Sequence, residues 1–412
     1  MKIKKISGRE ILDSRGFPTV ECSLNLEDGH SVIVSVPSGA STGKYEAVEL
    51  RDGDQNWYFG KGVKKAINNL ENKIAPLLVG KNPDFIKMDQ EIINLDGTDN
   101  KSSLGANATL AASMAVVRAQ AHCEKLELFE LVAKYFGVKP SIPVCMFNVL
   151  NGGVHANNGI NFQEFMIIPT GEKDFSKSLE KVVVVYQTLK KLLVKKGFNS
   201  NLGDEGGFAP VFAKGAKLPE ELALDFIVEA IKSANLEGEI KIGLDVAASQ
   251  FFDETNNFYD FYGNKFSGKD LIDFYENLLA KYPIISIEDG FAEDDWATWE
   301  SATKKLGGKV QLVGDDLFVT NQKRIKYGVE RHCANAVLIK PNQIGTVSET
   351  IETIKYCKSI NYKTVISHRS GETIDTFIAD LVFGCNGGQF KCGAPARGER
   401  VAKYNRLLQL AR

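Results

Sequence analysis

The stretch ANAVLIKPNQIG, residues 334–345, runs through four apolar residues, Ala336 to Ile339, and then meets Lys340, Pro341 and a turn-rich Asn342-Gln343-Ile344-Gly345. A short apolar run bounded by turn residues reads as a strand buried on both faces. A lysine at the mouth of such a dry strand is costly to charge, so its pKa is expected to fall towards working pH. Taken alone, Lys340 would be read as a side chain snorkelling to solvent. It is not alone.

The same pattern, an apolar run ending in ionisable residues and then in small ones, recurs through the C-terminal half. KIGLDVA ends in Asp245, PIISIEDG in Glu288 and Asp289, and VQLVGDD in Asp315 and Asp316. KTVISHRSG ends in Ser367, His368, Arg369 and Ser370, and GQFKCGA carries Lys391. The spacing from Asp245 through Glu288, Asp315, Lys340 and Arg369 to Lys391 is that of a strand plus a returning helix. Helical stripes do fill the gaps: Leu271, Tyr275, Leu278 and Tyr282 mark one, and Val347, Ile351 and Ile354 another. Repeated strand–helix units imply parallel strands, because a parallel return needs a crossover. Six in succession predict a closed barrel whose strand C-termini share one face and carry the active site. Three carboxylates, two lysines, a histidine and an arginine would then converge on one pocket.

Bulk properties narrow the classes. A chain of 412 residues is long for a single core, which favours two domains. The formal net charge is −2 and basic residues do not cluster beyond a pair or so, which argues against nucleic acid as the main ligand. Seven scattered cysteines without a CxxC pair read as reduced thiols of an intracellular protein. The opening MKIKKISGRE lacks an apolar secretory core, and no apolar run approaches the ~20 residues of a membrane span. A cytoplasmic protein is therefore expected.

Residues 1–36 read as a strand meander, with Glu27-Asp28-Gly29-His30 turning between two runs. The segment PSGASTGKYEA follows, a turn-like stretch whose hydroxyls Ser38, Ser41 and Thr42 suit a lid reaching a metal or phosphate. From Gly62 to Phe136 the chain is expected to be helical, densest in the alanine-rich stretch around Ala106 to Ala119. Gly137, Pro140 and Pro143 then punctuate it. This places a smaller α+β domain at 1–135, with lid loop 37–45, and a catalytic α/β barrel at 140–412. In the barrel half, His155 sits in a Gly/Asn-rich loop, Gln163 and Glu164 open the apolar strand FMIIP, and a helix is expected from Asp174 to Lys196. Asp204 and Glu205 precede Gly206-Gly207, which by itself could be a solvated turn. Of five histidines, His30, His122 and His332 need no function, whereas His155 and His368 lie beside other polar groups. Asp245, Glu288 and Asp315 offer three hard oxygen ligands, a set for Mg²⁺ and not for zinc; the bland reading is a set of barrel ion pairs. Arg369 and Ser370 suit a phosphate.

With these residues in view the chain resembles the enolase family over essentially its whole length. The resemblance is carried by DSRG, VPSGASTG, LRDGD, GANA, NGGVHA, QEFMI, GDEGGFAP, LDVAAS, SIEDGFAEDDW, GDDLFVTN, LIKPNQIG, SHRSGET and APARGERVAKYN, in that order. It implies a modified eight-stranded TIM-type α/β barrel with an irregular start, preceded by the smaller α+β domain. It also implies a reaction, the reversible dehydration of 2-phosphoglycerate to phosphoenolpyruvate with two Mg²⁺ per site. Asp245, Glu288 and Asp315 would hold the first ion. Ser41 would reach the second, which arrives with substrate. Lys340 would remove the proton beside the carboxylate, with Lys391 stabilising the enolate; a Lys or His base with Mg²⁺ is already known for this superfamily. Glu205, supported by Glu164, would protonate the departing hydroxide, which requires a carboxyl that keeps its proton near neutral pH. Arg369, Ser370 and His368 would bind the phosphate side, and His155, Gln163 and Glu164 would contact substrate. A homodimer or ring of dimers is the implied assembly.

Five positions depart from the family pattern. Gly290 stands where Pro is usual, predicting a looser loop. Pro341 follows the lysine where an N–H donor is usual, and Phe17, Ile374 and Cys392 replace polar residues. None removes a catalytic group. Two other readings stay open from sequence: a superfamily relative acting on another carboxylate, and a scaffold or surface-binding protein.

Overall fold

A computed structural model describes residues 1–40, 43–212 and 218–412. The N-terminal part begins with an antiparallel meander of β1 (Ile3–Leu12), β2 (Pro18–Leu26) and β3 (Ser31–Ser35). Along β2 the residues Val20, Cys22, Leu24 and Leu26 are fully buried while those between are half-buried, the period of two expected of a strand with one face on a core. The cover is the helix Ala106–Glu124, which packs on β2 and β3. Its alanines allow backbone and sheet to approach closely, and almost every residue of it is buried. A shorter helix, Leu128–Phe136, is closed at its start by a reciprocal capping box of Glu127 and Glu130 and stopped by Gly137 in the left-handed region.

The C-terminal part is a closed barrel. Its strands are β4 (Val144–Asn151), β5 (Glu164–Pro169) and β6 (Ile240–Asp245), then, after a small antiparallel sheet of β7 (Phe252–Asp253), β8 (Phe258–Phe261) and β9 (Asn264–Phe266), the strands β10 (Ile284–Glu288), β11 (Gln311–Gly314), β12 (Ala336–Ile339), β13 (Lys363–Ser367) and β14 (Gln389–Lys391). Around the barrel the order is β10-β11-β12-β13-β14-β4-β5-β6. All neighbouring pairs are parallel except those of β5, which runs against both β4 and β6. The eight-stranded barrel with an irregular start, preceded by a smaller α+β domain, is thus the architecture found. The small sheet β7–β9 lies between Asp245 and the helix that carries the Leu271–Tyr282 stripe, in a stretch with no strand expectation of its own.

Strand β12 shows why its sequence is apolar without a break. Ala336 and Leu338 point into the barrel, where they pack with Met146, Met166, Ile168, Val313 and Val365. Val337 and Ile339 face outward into the larger core shared with the surrounding helices. All four are fully buried. The helix Phe175–Lys195, capped by Asp174 and followed by Gly197 at φ +83°, and the helices Gly268–Lys281 and Val347–Ser359 are returns of this kind.

The two parts are joined by polar contacts at the rim. The hydroxyl of Ser113, on the alanine-rich helix, donates to Asp89 Oδ2 at 2.8 Å, and the backbone N–H of Ser348 donates to the same oxygen at 2.8 Å. Asp89 therefore holds the first turn of a barrel helix from the other domain. Burial pushes its carboxyl up to about 6 from an ordinary 3.8, against the hydrogen bonds that favour the anion. A carboxyl raised in the folded state binds extra protons there. Its contribution is complete below pH 3.8 and is lost as pH rises through 6, about 3 kcal/mol in all. Asp89→Asn is expected to remove that dependence. In urea titrations the stability of the variant relative to wild type should rise by about 2–3 kcal/mol between pH 4 and pH 7; a constant difference would mean that Asp89 is charged throughout.

Candidate active site

The pocket at the C-terminal rim of the barrel is lined by His155, Gln163, Glu164, Glu205, Asp245, Lys340, Ser367, His368, Arg369, Ser370 and Lys391. Chain topology explains how residues so far apart arrive together. Asp245 and Glu288 end β6 and β10 and stand in register with one another. Glu164 begins its strand, and because β5 runs the opposite way its first residue reaches the same rim, paired with Asp245. Lys391 ends β14 opposite Ser367. Glu205 and Asp204 are divided by the turn after them: Asp204 is exposed and Glu205 is buried. Gly206 takes φ +85°, and a Cβ on Gly207 would come within 2.6 Å of Asn148 Oδ1. The GDEGG turn therefore requires its glycines.

Two lysines organise the acids. Lys391 Nζ lies 2.8 Å from Asp245 Oδ2, 2.8 Å from Glu288 Oε1 and 2.9 Å from Glu164 Oε1. One ammonium compensates only one of three buried carboxylates. Burial opposes ionisation of Asp245, but the Lys391 charge overcomes it and holds this carboxyl below its usual range. Glu288, by burial and then by the Asp245 charge, and Glu164, by burial and then by the Glu205 charge, are pushed well above theirs. The second lysine, Lys340, is paired with Asp315, whose other oxygen accepts Gln343 Nε2 at 2.9 Å. Burial works against the Lys340 charge, yet Asp315 outweighs it and raises the pKa. This corrects the expectation of a depressed lysine, which considered the dry strand but not the neighbouring acid.

Glu205 is held between two histidines. His155 Nδ1 lies 3.6 Å from Glu205 Oε1 and His368 Nε2 lies 3.6 Å from Oε2, while Asn148 Nδ2 donates to Oε2 at 3.2 Å. Burial lowers His155 to about 4 and, with the charge of Arg400, lowers His368 well below its usual value. Both rings are thus neutral at pH 7. Arg400 Nη1 contacts His368 Nδ1 at 2.7 Å, and since a guanidinium only donates, the proton of His368 sits on Nε2, facing Glu205. Arg400 Nη2 also donates to Ser370 O at 2.6 Å. Arg400 was missed from sequence although it lies in APARGERVAKYN; a fully buried arginine leaves no pattern of its own there. Gln163 Nε2 contacts Asp245 Oδ2 at 3.3 Å and Gln163 Oε1 accepts Gln250 Nε2 at 2.8 Å.

Every expected site residue among the described ones lies at this rim; Ser41, with Thr42, lies outside the described residues. The start of the 37–45 segment is fixed to the barrel, where Ser38 and Gly371 exchange backbone hydrogen bonds and Ala40 N donates to Ser370 Oγ at 2.8 Å, and to its own domain, where Arg15 Nη2 donates to Gly39 O at 3.0 Å. The departures from the family pattern are accommodated. Lys340 is extended, at φ −125° and ψ 108°, and Pro341 opens the one-turn helix Pro341–Ile344, where its missing N–H would have had no intrahelical partner. Gly290 is buried and its carbonyl accepts the Tyr275 hydroxyl at 2.8 Å, so the loop is anchored and not loose.

Acid clusters at the rim can hold a metal ion. Among the described residues, His155, Glu164 and Glu205 form one group, and Asp289, Asp315 and Asp316 another, each with ligand atoms within 4.8 Å of one another. The expected set of Asp245, Glu288 and Asp315 is shared instead between Lys391 and Lys340. Its donors nevertheless fit a hard divalent cation. They are all carboxylate oxygens, and Glu288 Oε2 is buried with no hydrogen-bond partner among the described residues.

Such a barrel, with acids and lysines gathered on the rim formed by its strand ends, belongs to the α/β-barrel enzymes. The model of the enolase N-terminal domain matches residues 3–132, and that of the enolase C-terminal TIM barrel domain matches residues 139–412. The chain belongs to the enolase family. It is accordingly an enolase-superfamily enzyme with a small-molecule substrate. No helix among the described residues is long and apolar enough to cross a membrane.

Proposed function

We propose that this enzyme catalyses the reversible dehydration of 2-phospho-D-glycerate to phosphoenolpyruvate, the enolase step of glycolysis and gluconeogenesis. The observation that carries the reading is one pocket lined by Lys340, Lys391, the Glu164/Glu205 pair and Arg369 with Ser370. These are a base, a cation for an enolate, a proton donor and an anion clamp, the four parts the reaction needs.

In the forward direction Lys340 takes the proton from C2. It must be neutral to do so. Burial and the facing charges of Arg369 and Lys391 favour the neutral amine, whereas the charges of Asp315 and Glu288 hold its proton, so those two acids would have to be compensated by a bound cation before Lys340 acts. Charge then builds on the substrate carboxylate, and the Lys391 ammonium lies where it can compensate it. The C3–O bond breaks as Glu205 delivers a proton to the departing hydroxide, giving water. Burial and the neighbouring Glu205 carboxylate favour a proton on Glu164, so a proton shared between the two groups is at hand for Glu205 to pass on. His368 presents its Nε2–H to Glu205, while Arg369 and Ser370 bind the phosphate, and His155 and Gln163 contact the substrate. Asp245, Glu288 and Asp315 would hold the first of two Mg²⁺ ions, which would supply Lewis-acid stabilisation of the enolate charge. A cytoplasmic homodimer completes this reading.

The test is to mix the protein with 2-phosphoglycerate and Mg²⁺ and follow the ultraviolet absorbance of the enol product. Absence of product with wild-type protein overturns the reading. Chelation is expected to abolish turnover while the far-ultraviolet circular dichroism stays unchanged, because the ligands stand on preformed strand ends. Unfolding on chelation would make the metal structural and its proposed role wrong.

A further inference from the structure

Arg369 does not stand by itself at the pocket wall. Its Nη1 donates to Glu46 Oε2 at 2.8 Å and its Nη2 to Glu46 Oε1 at 3.1 Å, while Nη1 also donates to Asn342 Oδ1 at 3.0 Å. The side chains of Arg369 and Glu46 are 3% and 6% exposed. A two-pronged, charge-assisted contact of this kind fixes the plane of a guanidinium as well as its place. The carboxylate comes from the N-terminal domain, not from the barrel. Its Oε1 also accepts the backbone N–H of Gly43 at 3.0 Å and Gln343 Nε2 at 3.3 Å. Gln343 passes the connection on: its Nε2 donates to Asp315 Oδ1 at 2.9 Å, and its carbonyl accepts Ala47 N–H at 2.8 Å. One carboxylate thus links Arg369, the backbone at Gly43 and, through Gln343, the acid paired with Lys340.

We propose that Glu46 is a positioning residue for anion binding, holding the Arg369 guanidinium in the orientation that receives the substrate phosphate. The identity of that phosphate rests on the phosphoglycerate reading; the role of Glu46 in presenting Arg369 does not. The opposite physical account makes Glu46 a competitor, a carboxylate that occupies the arginine and weakens its pull on an anion. The two predict opposite signs. If Glu46 only neutralises Arg369, removing its charge strengthens anion binding, because Arg369 then adds to the field of Lys340 and Lys391. If Glu46 orients Arg369, removing the fork frees a long side chain to swing and weakens it. Orientation prevails here because Oε1 is itself held by Gly43 and Gln343, so the carboxylate is a fixed point and not a mobile counter-ion.

The experiment measures binding of inorganic phosphate by isothermal calorimetry, with Mg²⁺ present, to wild type, Glu46→Gln and Glu46→Asp, together with turnover of 2-phosphoglycerate. Glu46→Gln is expected to weaken phosphate binding and raise KM by about tenfold each, with kcat changed less than about threefold, and Glu46→Asp to restore part of the loss. Phosphate affinity that is unchanged or tighter in Glu46→Gln overturns the proposal, as does a fall in kcat at constant KM. Should Glu46→Gln fail to fold, Glu46→Asp decides alone: weakened phosphate binding supports the proposal and wild-type affinity overturns it. If wild type binds phosphate but turns over no 2-phosphoglycerate, the phosphoglycerate reading fails while the calorimetry still settles what Glu46 does.

Discussion

Lys340→Ala is expected to lower kcat for 2-phosphoglycerate by about 10⁴-fold, the upper end of what a positioned base contributes. The C2 proton is beside an ionised carboxylate and is so weakly acidic that water cannot replace the amine. KM should change by little, since Lys340 meets the reacting hydrogen and not the phosphate. The variant should still fold. Removing the ammonium leaves Asp315 without its ion-pair partner, but Gln343 continues to donate to it. A loss of about 1–3 kcal/mol is the scale for one unsatisfied buried partner, within the ~5–15 kcal/mol margin of a folded domain. The check is steady-state kinetics beside a urea titration. A variant that keeps a tenth or more of wild-type kcat, by the convention that tenfold is 1.4 kcal/mol, would exclude Lys340 as the base.

Lys391→Met should damage both stability and turnover. The methionine keeps much of the length of the stem but removes the single ammonium on Glu164, Asp245 and Glu288. Deleting one partner of a buried pair costs about 3–5 kcal/mol. The pH dependence identifies the cause. Asp245 is depressed in the wild type, so the stability it contributes is present above the ordinary carboxylate pKa and is lost as pH falls. Without Lys391 burial favours the protonated form, so in the variant Asp245 takes up a proton as pH falls from 7 and recovers stability, while in the wild type it stays largely ionised at pH 4. The destabilisation, read from urea midpoints, should therefore be largest near pH 7 and shrink towards pH 4. Equal destabilisation at both would mean that Lys391 acts by packing. Turnover should fall by a further ~10²–10³-fold, the loss expected for one stabiliser of developing negative charge.

The barrel was legible in the sequence because its strands advertise themselves twice. Strands β6, β10, β11, β12 and β13 are largely apolar, as strands buried on both faces are, and each runs into an ionisable residue at the rim. Ala336-Val337-Leu338-Ile339 before Lys340 is the clearest case, with two residues inside the barrel and two against the helices. The direction of β5 was not legible, since EFMIIP reads the same buried strand whichever way it runs. That direction determines whether Glu164 reaches the rim, and only the pairing with Asp245 reveals it.

Charge balance was the other hidden quantity. The depressed pKa expected of Lys340 followed soundly from burial, but the neighbour that reverses it comes from the adjacent strand β11. The parallel register of Val313 with Ala336 sets that proximity, and no local pattern encodes it. Glu46 and Arg400 were missed for a related reason. Both act on the SHRSG segment from distant parts of the chain, one from the small domain and one from the final helix, Gly398–Leu410. Residues that serve by touching another functional residue carry no signature of spacing.

The account rests on Lys340 as the group that removes the C2 proton and Glu205 as a separate group that completes the elimination. The direct measurement is exchange of the C2 hydrogen of 2-phosphoglycerate for deuterium in heavy water, followed by NMR. Wild type should exchange it and form phosphoenolpyruvate, Glu205→Gln should exchange it while forming almost none, and Lys340→Ala should do neither. Exchange that persists in Lys340→Ala would contradict the account.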